Sequence, residues 1–198
     1  MIIGITGKSG TGKSHLAEIL KQELSAEIIN FDKVSHLTIE TDSFKTLVKK
    51  WNIPSVFDNK GNIIRKKLGD IVFEDKEKLN QINNLSEKLM TEIIDEMIQK
   101  STAKYIILEY ALLPLMKFFN ECDIKILITA TESIRFERII NRDQISEEYF
   151  KKRDANSINY IPALFDIVVE NNTNDTIMIH NILNLIKSKE NLWLEKPL

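Results

Sequence analysis

Gly7-Lys8-Ser9-Gly10-Thr11-Gly12-Lys13-Ser14 decides how the rest of the chain is read. The stretch fills every position of the pattern G-x-x-x-x-G-K-[ST]. Its flanks agree with it. Ile2, Ile3, Gly4 and Ile5 before it read as a buried strand, and Leu16, Ile19, Leu20 and Leu24 after it recur at the spacing of one helix face. Glycines at 7, 10 and 12 let a backbone curl with its N–H groups turned inward around an anion. A helix starting near Lys13 adds the positive end of its dipole. In such a loop Lys13 lays its ammonium on the β- and γ-phosphates of ATP, and Ser14 offers its hydroxyl to Mg²⁺. Gly7 through Ser14 is therefore the expected ATP-binding segment. Lys8 is a second loop cation, able to add charge near the phosphates but expected to turn to solvent.

Outward from the loop, short apolar runs alternate with helix-like stretches. Runs at 28–29, 105–108, 124–128 and 167–169 join the first as five strands without polar alternation, which is the mark of a parallel sheet covered on both faces. Helical spacing is read at 42–50, 65–73, 76–99, 132–140 and 176–186, and Ser146 stands as an N-cap for a helix from 147. Pro54 and Gly61 mark 52–62 as loop. With right-handed crossovers this gives a doubly wound α/β sandwich with a five-stranded parallel sheet. The expectation is one domain over 1–198, with a helical insertion at about 60–100 and a short lid at about 142–156.

Composition narrows the partners. Lys plus Arg is 27 and Asp plus Glu is 29, a formal net charge of −2. That balance argues against a chain that coats nucleic acid or a membrane surface. With 43% hydrophobic and 28% charged residues the chain is expected to fold, not to stay disordered. Cys122 is the single cysteine, so neither an intrachain disulfide nor a multi-cysteine zinc site is available. No run reaches the roughly 18–20 apolar residues of a membrane span, and a cytoplasmic location is expected.

The loop motif is shared by kinases, switch GTPases and ATPases. The nearest approach to a guanine-selecting Asn-Lys-x-Asp is Asn59-Lys60-Gly61-Asn62, which lacks the acid and comes early in the chain. A small-molecule kinase fits the length and the helical insertion best. Transfer to an alcohol needs a carboxylate beside the acceptor, cations around the moving group and exclusion of water. Asp32 follows the second apolar run, at the strand end where open α/β sheets bind ligands, and is the candidate for taking the hydroxyl proton; the alternative is an N-cap for a helix from Lys33. Glu109 ends the third run and is the candidate to hold Mg²⁺, directly or through water. Arg138, Arg142 and Arg153 are candidate phosphate-facing arginines, with ion pairs to Glu132, Glu137 or Asp143 as the alternative. Of the basic trio Arg65-Lys66-Lys67, Arg65 is the candidate acceptor contact. His36 is a candidate lining residue near Asp32. Trp51 and Trp193 read as packing residues. Asn171 and Asn172 are candidates for the adenine site.

At these residues the chain resembles the dephospho-coenzyme A kinases, over nearly its whole length. The opening Ile2-Ile3-Gly4-Ile5-Thr6-Gly7 and the loop are similar to the start of that family. Asn30-Phe31-Asp32-Lys33-Val34-Ser35-His36 resembles its Asp-x-Asp-Lys-Ile-x-His segment. Gly61-Asn62-Ile63-Ile64-Arg65-Lys66-Lys67-Leu68-Gly69-Asp70-Ile71-Val72-Phe73 is the most discriminating match. Arg138 and Arg142-Asp143 resemble its lid arginines, and Phe165-Asp166-Ile167-Val168-Val169-Glu170-Asn171-Asn172 resembles its penultimate stretch. The resemblance implies transfer of the ATP γ-phosphate to the ribose 3′-hydroxyl of dephospho-coenzyme A. It implies Asp32 as the catalytic aspartate and Arg65 as part of the acceptor region; from the residue reading, Lys13 and Arg142 join Asp32 as catalytic candidates, and His36, Glu109 and Arg153 join Asp32 and Arg65 as acceptor candidates. Partners are then small molecules, with no nucleic acid or membrane, and the chain a monomer or weak homo-oligomer. The chain departs from the family pattern at Asn30, Asn84, Leu115 and Ser157. A nucleoside or nucleoside monophosphate kinase of the same fold, or a nucleotide-binding regulator without turnover, stands as the alternative.

Overall fold

The strand after Met1, β1 (Ile2–Thr6), has four of its five residues buried and becomes the centre of a sheet because it has no polar face to offer water. The computed structural model describes residues 1–173 and 176–194. Around β1 stand β2 (Glu27–Asn30), β3 (Ile106–Glu109), β4 (Ile124–Thr129) and β5 (Ile167–Glu170), in the order β2-β3-β1-β4-β5. The sheet is parallel throughout. From β1 the chain crosses over the β3 position to β2, returns to β3, then passes to the far side for β4 and β5. This reversal about β1 is the topological switch that opens a crevice at the carboxyl ends of the strands. The register sets Ile5 opposite Glu109, so β1 runs into its loop beside that carboxylate.

The helices are α1 (Lys13–Leu24), α2 (Phe31–Thr38), α3 (Asp42–Lys49), α4 (Arg65–Glu74), α5 (Lys76–Lys100), α6 (Phe118–Glu121), α7 (Glu132–Asp143), α8 (Glu147–Ala155) and α9 (Thr176–Leu194). Among the described residues no helix is long and apolar enough to cross a membrane. The chain packs as two units, residues 1–29 with 102–198, and residues 30–101. In the first, Leu16, Ala17 and Leu20 of α1 and Ile182 and Ile186 of α9 join Ile3, Ile5, Ile107, Ile124, Ile126 and Ile128 of the strands in one core. Burying side chains of this size contributes roughly 1.5–3 kcal/mol each before entropy is counted. In the second unit, α2, α3 and α4 pack on the long α5. Its core is Phe44, Val48, Val56, Leu68 and Val72, with Trp51 against it. The Trp51 Nε1 donates to Gln81 Oε1 at 3.1 Å, so this ring is a packing residue; the side chain of Trp193 lies outside the described residues.

Side-chain caps set the helix starts. Thr41, Asp75 and Ser146 accept from backbone N–H groups at the starts of α3, α5 and α8. Helix α7 runs through Asp143, so Arg142 and Asp143 form its last turn, and Gln144, left-handed at φ 53°, ends it. The helical unit also begins at Asn30 and so includes α2 and α3, which precede the stretch marked by sequence.

At the middle of β1, a Cβ on Gly4 would lie 2.7 Å from Cys122 Sγ and 2.9 Å from Leu113 Cδ2. Both neighbours are buried. Gly4→Ala should therefore overpack the sheet and destabilise the chain by about 2 kcal/mol, seen as a Tm lower by about 4–8 °C in thermal unfolding. A Tm within about 1 °C of the parent would show that this core yields freely.

Candidate active site

The loop between β1 and α1 is shaped by backbone that side chains oppose. Gly7 and Gly12 sit at φ 148° and 98°, where an L side chain is strained. A Cβ on Gly7 would lie 2.1 Å from Ile128 O, and one on Gly12 would lie 2.3 Å from Asn171 Nδ2. Gly12 caps α1 without a side-chain hydrogen bond, so no capping oxygen competes for the N–H groups of the first turn. That is the condition for an anion to take them.

Three donors converge on one loop carbonyl, Lys8 O. Thr11 Oγ1 reaches it at 2.9 Å, Lys13 Nζ at 3.0 Å and Thr11 N at 3.4 Å. Lys13 thus arches over the loop it belongs to, with its ammonium held against the concave side. Ser14 Oγ donates to Glu109 Oε1 at 2.5 Å, and Glu109 is buried, 5% exposed as a residue. A serine hydroxyl and a buried carboxylate make a hard-oxygen pair, the chemistry that suits Mg²⁺. Among the described residues there is no cluster of three His, Cys, Asp or Glu.

Two helices close on the loop. Arg138 Nη1 of α7 donates to Gly10 O at 3.3 Å. Buried Asn171 donates through Nδ2 to Thr11 O at 2.8 Å and through its backbone to Thr129 O at 2.8 Å. Asn171 is therefore committed to holding the loop, and Asn172 Oδ1 accepts from Thr131 N at 2.9 Å. Lys8 does not turn to solvent: its Nζ lies 3.3 Å from Asp154 Oδ2 of α8. A cavity of about 240 Å³ is lined by Lys8, Thr11, Ile128, Thr129, Arg135 and Tyr160, among others. Tyr160 donates to Ala111 O at 2.8 Å, and burial pushes its phenol above the ordinary range.

Arg142 and Arg153 both meet Asp143. Arg142 donates to it at 2.6 and 2.9 Å, and Arg153 Nη1 lies 3.9 Å away. The Arg142 hydrogen bond chiefly holds the Asp143 carboxyl below its usual range. Such exposed pairs contribute little to stability.

In the helical unit, Asp32 is exposed in the first turn of α2. The cap is Asn30, whose side chain accepts from Lys33 N at 2.9 Å, so the N-cap alternative for Asp32 is overturned. Asn30 departs from the acid of the family pattern and does a neutral capping job in its place. Asp32 and His36 are four residues apart on α2, and Arg65 Nη2 donates to His36 O at 3.4 Å. Asp32, His36 and Arg65 all keep exposed side chains.

Sequence reading missed Arg135 and Asp154. Arg135 is one turn before Arg138, so the i, i+3 spacing was there to be seen; nothing near Asp154 marks it.

A family model for dephospho-CoA kinases matches residues 1–176. The dephospho-CoA kinase of Fusobacterium nucleatum is 31% identical over 176 residues, covering 88% of this chain and 91% of that one. The dephospho-CoA kinase of Aquifex aeolicus is 34% identical over 154 residues, covering 76% and 77%. The solved structure of a dephospho-CoA kinase from Campylobacter jejuni superposes with a TM-score of 0.59 at 21% identity, covering 94% of this chain and 95% of that one, and shares the fold.

Proposed function

The chain belongs to the dephospho-CoA kinase family, and from that premise we propose how its residues divide the work of the transfer. It is a kinase that moves a phosphoryl group from ATP to an alcohol. The alcohol we assign is the ribose 3′-hydroxyl of dephospho-CoA.

The loop Gly7–Ser14 receives the triphosphate in its ring of N–H groups and on the α1 dipole. Lys13 gives up Lys8 O for the β- and γ-oxygens, where charge accumulates as the terminal group departs. Lys8 and Arg138 add positive charge at the rim. Mg²⁺, when bound, would supply Lewis-acid charge withdrawal at the phosphates. Ser14 and Glu109 are the residues to hold it, with Glu109 acting directly or through water. Asp32 accepts the proton of the 3′-hydroxyl as that oxygen forms its bond to the γ-phosphorus and the bond to the ADP oxygen breaks. His36, Arg65 and Arg153 contact the acceptor, and Arg142 leaves Asp143 to face the transferring group.

The observation that carries this reading is the Ser14–Glu109 hydrogen bond under a loop whose lysine already faces inward. The test is acceptor dependence: ADP formation with dephospho-CoA, with a nucleoside and nucleoside monophosphate panel, and with ATP alone. ADP released only with dephospho-CoA supports the reading; release with the nucleoside panel alone supports a kinase of other specificity. Glu109→Gln should raise the Mg²⁺ needed for half-maximal rate about tenfold, measured by Mg²⁺ titration at saturating ATP. An unchanged requirement removes Glu109 from the cation site.

A further inference from the structure

Lys8 and Arg135 share a single carboxylate, that of Asp154. Arg135 takes both of its oxygens, Nη1 to Oδ1 at 2.5 Å and Nη2 to Oδ2 at 3.0 Å, and Lys8 Nζ approaches the Oδ2 edge at 3.3 Å. The three side chains differ in exposure: 6% for Arg135, 17% for Asp154 and 29% for Lys8. The fork is the fixed member. Its guanidinium carbon stands 5.7 Å from the centre of the buried Phe150 ring, while Arg135 O lies so near the loop that a Cβ on Gly10 would meet it at 2.8 Å. Lys8 is the loose member, with one long contact. The connections make a closed circuit: the loop at Lys8, α8 at Asp154, α7 at Arg135, and the loop again at Gly10.

A lysine has four rotatable carbons and a point charge, so its hold on phosphate depends on how little freedom it must lose on binding. We propose that Asp154 is a positioning residue for nucleotide binding: anchored by Arg135, its carboxylate keeps the Lys8 ammonium at the wall of the cavity beside the phosphate loop, pre-oriented for the phosphates of ATP. This rests on the assignment of Lys8 to ATP. Two cations on one carboxylate leave a net positive charge, so an arriving phosphate takes Lys8, while Arg135 keeps Asp154 satisfied. Lys8 is held in the same place before and throughout the transfer. Its contribution falls on binding, so its loss raises KM and leaves kcat near the parent value.

Removing Asp154 alone strands a buried guanidinium and threatens folding, so the pair is neutralised together as Arg135→Gln with Asp154→Asn, keeping an amide–amide hydrogen bond. Kinetics with ATP and dephospho-CoA are measured for the parent chain, this double variant, Lys8→Met, and the triple variant. The expected result is a KM for ATP raised about tenfold in Lys8→Met and about fivefold in the double variant, with kcat within about twofold in each. In the triple variant KM is no higher than in Lys8→Met, because Asp154 acts only through Lys8. A double variant with parental KM, one that loses kcat instead, or effects that multiply in the triple variant each overturn the proposal while leaving the kinase assignment intact. Parental KM in Lys8→Met removes Lys8 from ATP and the proposal with it. A parent chain without dephospho-CoA-dependent turnover overturns the functional assignment itself and the proposal with it.

Discussion

Lys13→Ala is expected to lower kcat about 10³-fold. The Lys13 ammonium is the loop's own cation, held 3.0 Å from Lys8 O on the concave side, where an inserted phosphate would take its place as acceptor. During transfer, charge spreads over the γ-phosphoryl oxygens and the leaving ADP oxygen, and a fixed cation stabilises that distribution more than the ground state. Removing one such preorganised donor typically costs about 10²–10³ in rate, and Lys13 carries a full charge. The neutral variant loses one contact to a loop carbonyl that two Thr11 donors still reach, so the fold should survive. Single-turnover kinetics at saturating ATP and dephospho-CoA check this, with a thermal melt as the folding control. A kcat within tenfold of the parent would show that Lys13 is not the cation of the transition state.

Asp32→Asn is expected to lower kcat by about 10³, within the 10²–10⁴ range of a positioned base, while KM for ATP stays within about twofold. The substitution keeps size and shape, removes the charge and turns one acceptor oxygen into an NH₂ donor that cannot take a proton. Asp32 is exposed and the α2 cap belongs to Asn30. The structural cost is then limited to a favourable first-turn charge on the helix dipole, roughly 0.3–1 kcal/mol. Steady-state kinetics with both substrates varied separate the two parameters. Near-parental kcat would remove Asp32 from proton transfer, and a large rise in KM for ATP would mean that its role lies with the nucleotide.

What the sequence made legible follows from how local each signal is. The loop, its strand and its helix are contiguous, so spacing alone sufficed. The five strands were readable because buried parallel strands carry unbroken apolar runs such as Ile106-Ile107-Leu108. Glu109 stood out as a candidate because a strand end is a sequence feature, while its hydrogen bond from Ser14 comes only with the tertiary fold. The hidden parts are contacts between residues far apart in the chain. Asn171 reads as a loop amide until it is seen holding Thr11 O across 160 residues. Asp154 reads as one charge in a polar helix until Arg135 and Lys8 meet on it. Lys8 was expected in solvent because a lysine in a loop usually is, and only tertiary packing supplies the carboxylate that holds it. The Asp32 cap alternative failed for a local reason, since Asn30 stands two residues earlier and is as good a cap.

The central proposal is transfer of the ATP γ-phosphate to the ribose 3′-hydroxyl of dephospho-CoA. The most direct measurement is ³¹P NMR of the product formed from ATP and dephospho-CoA, with ADP quantified in parallel. The account predicts one new phosphomonoester on the ribose 3′-oxygen, formed one-for-one with ADP. A phosphate on any other oxygen, or ADP formed without a phosphorylated acceptor, would contradict it.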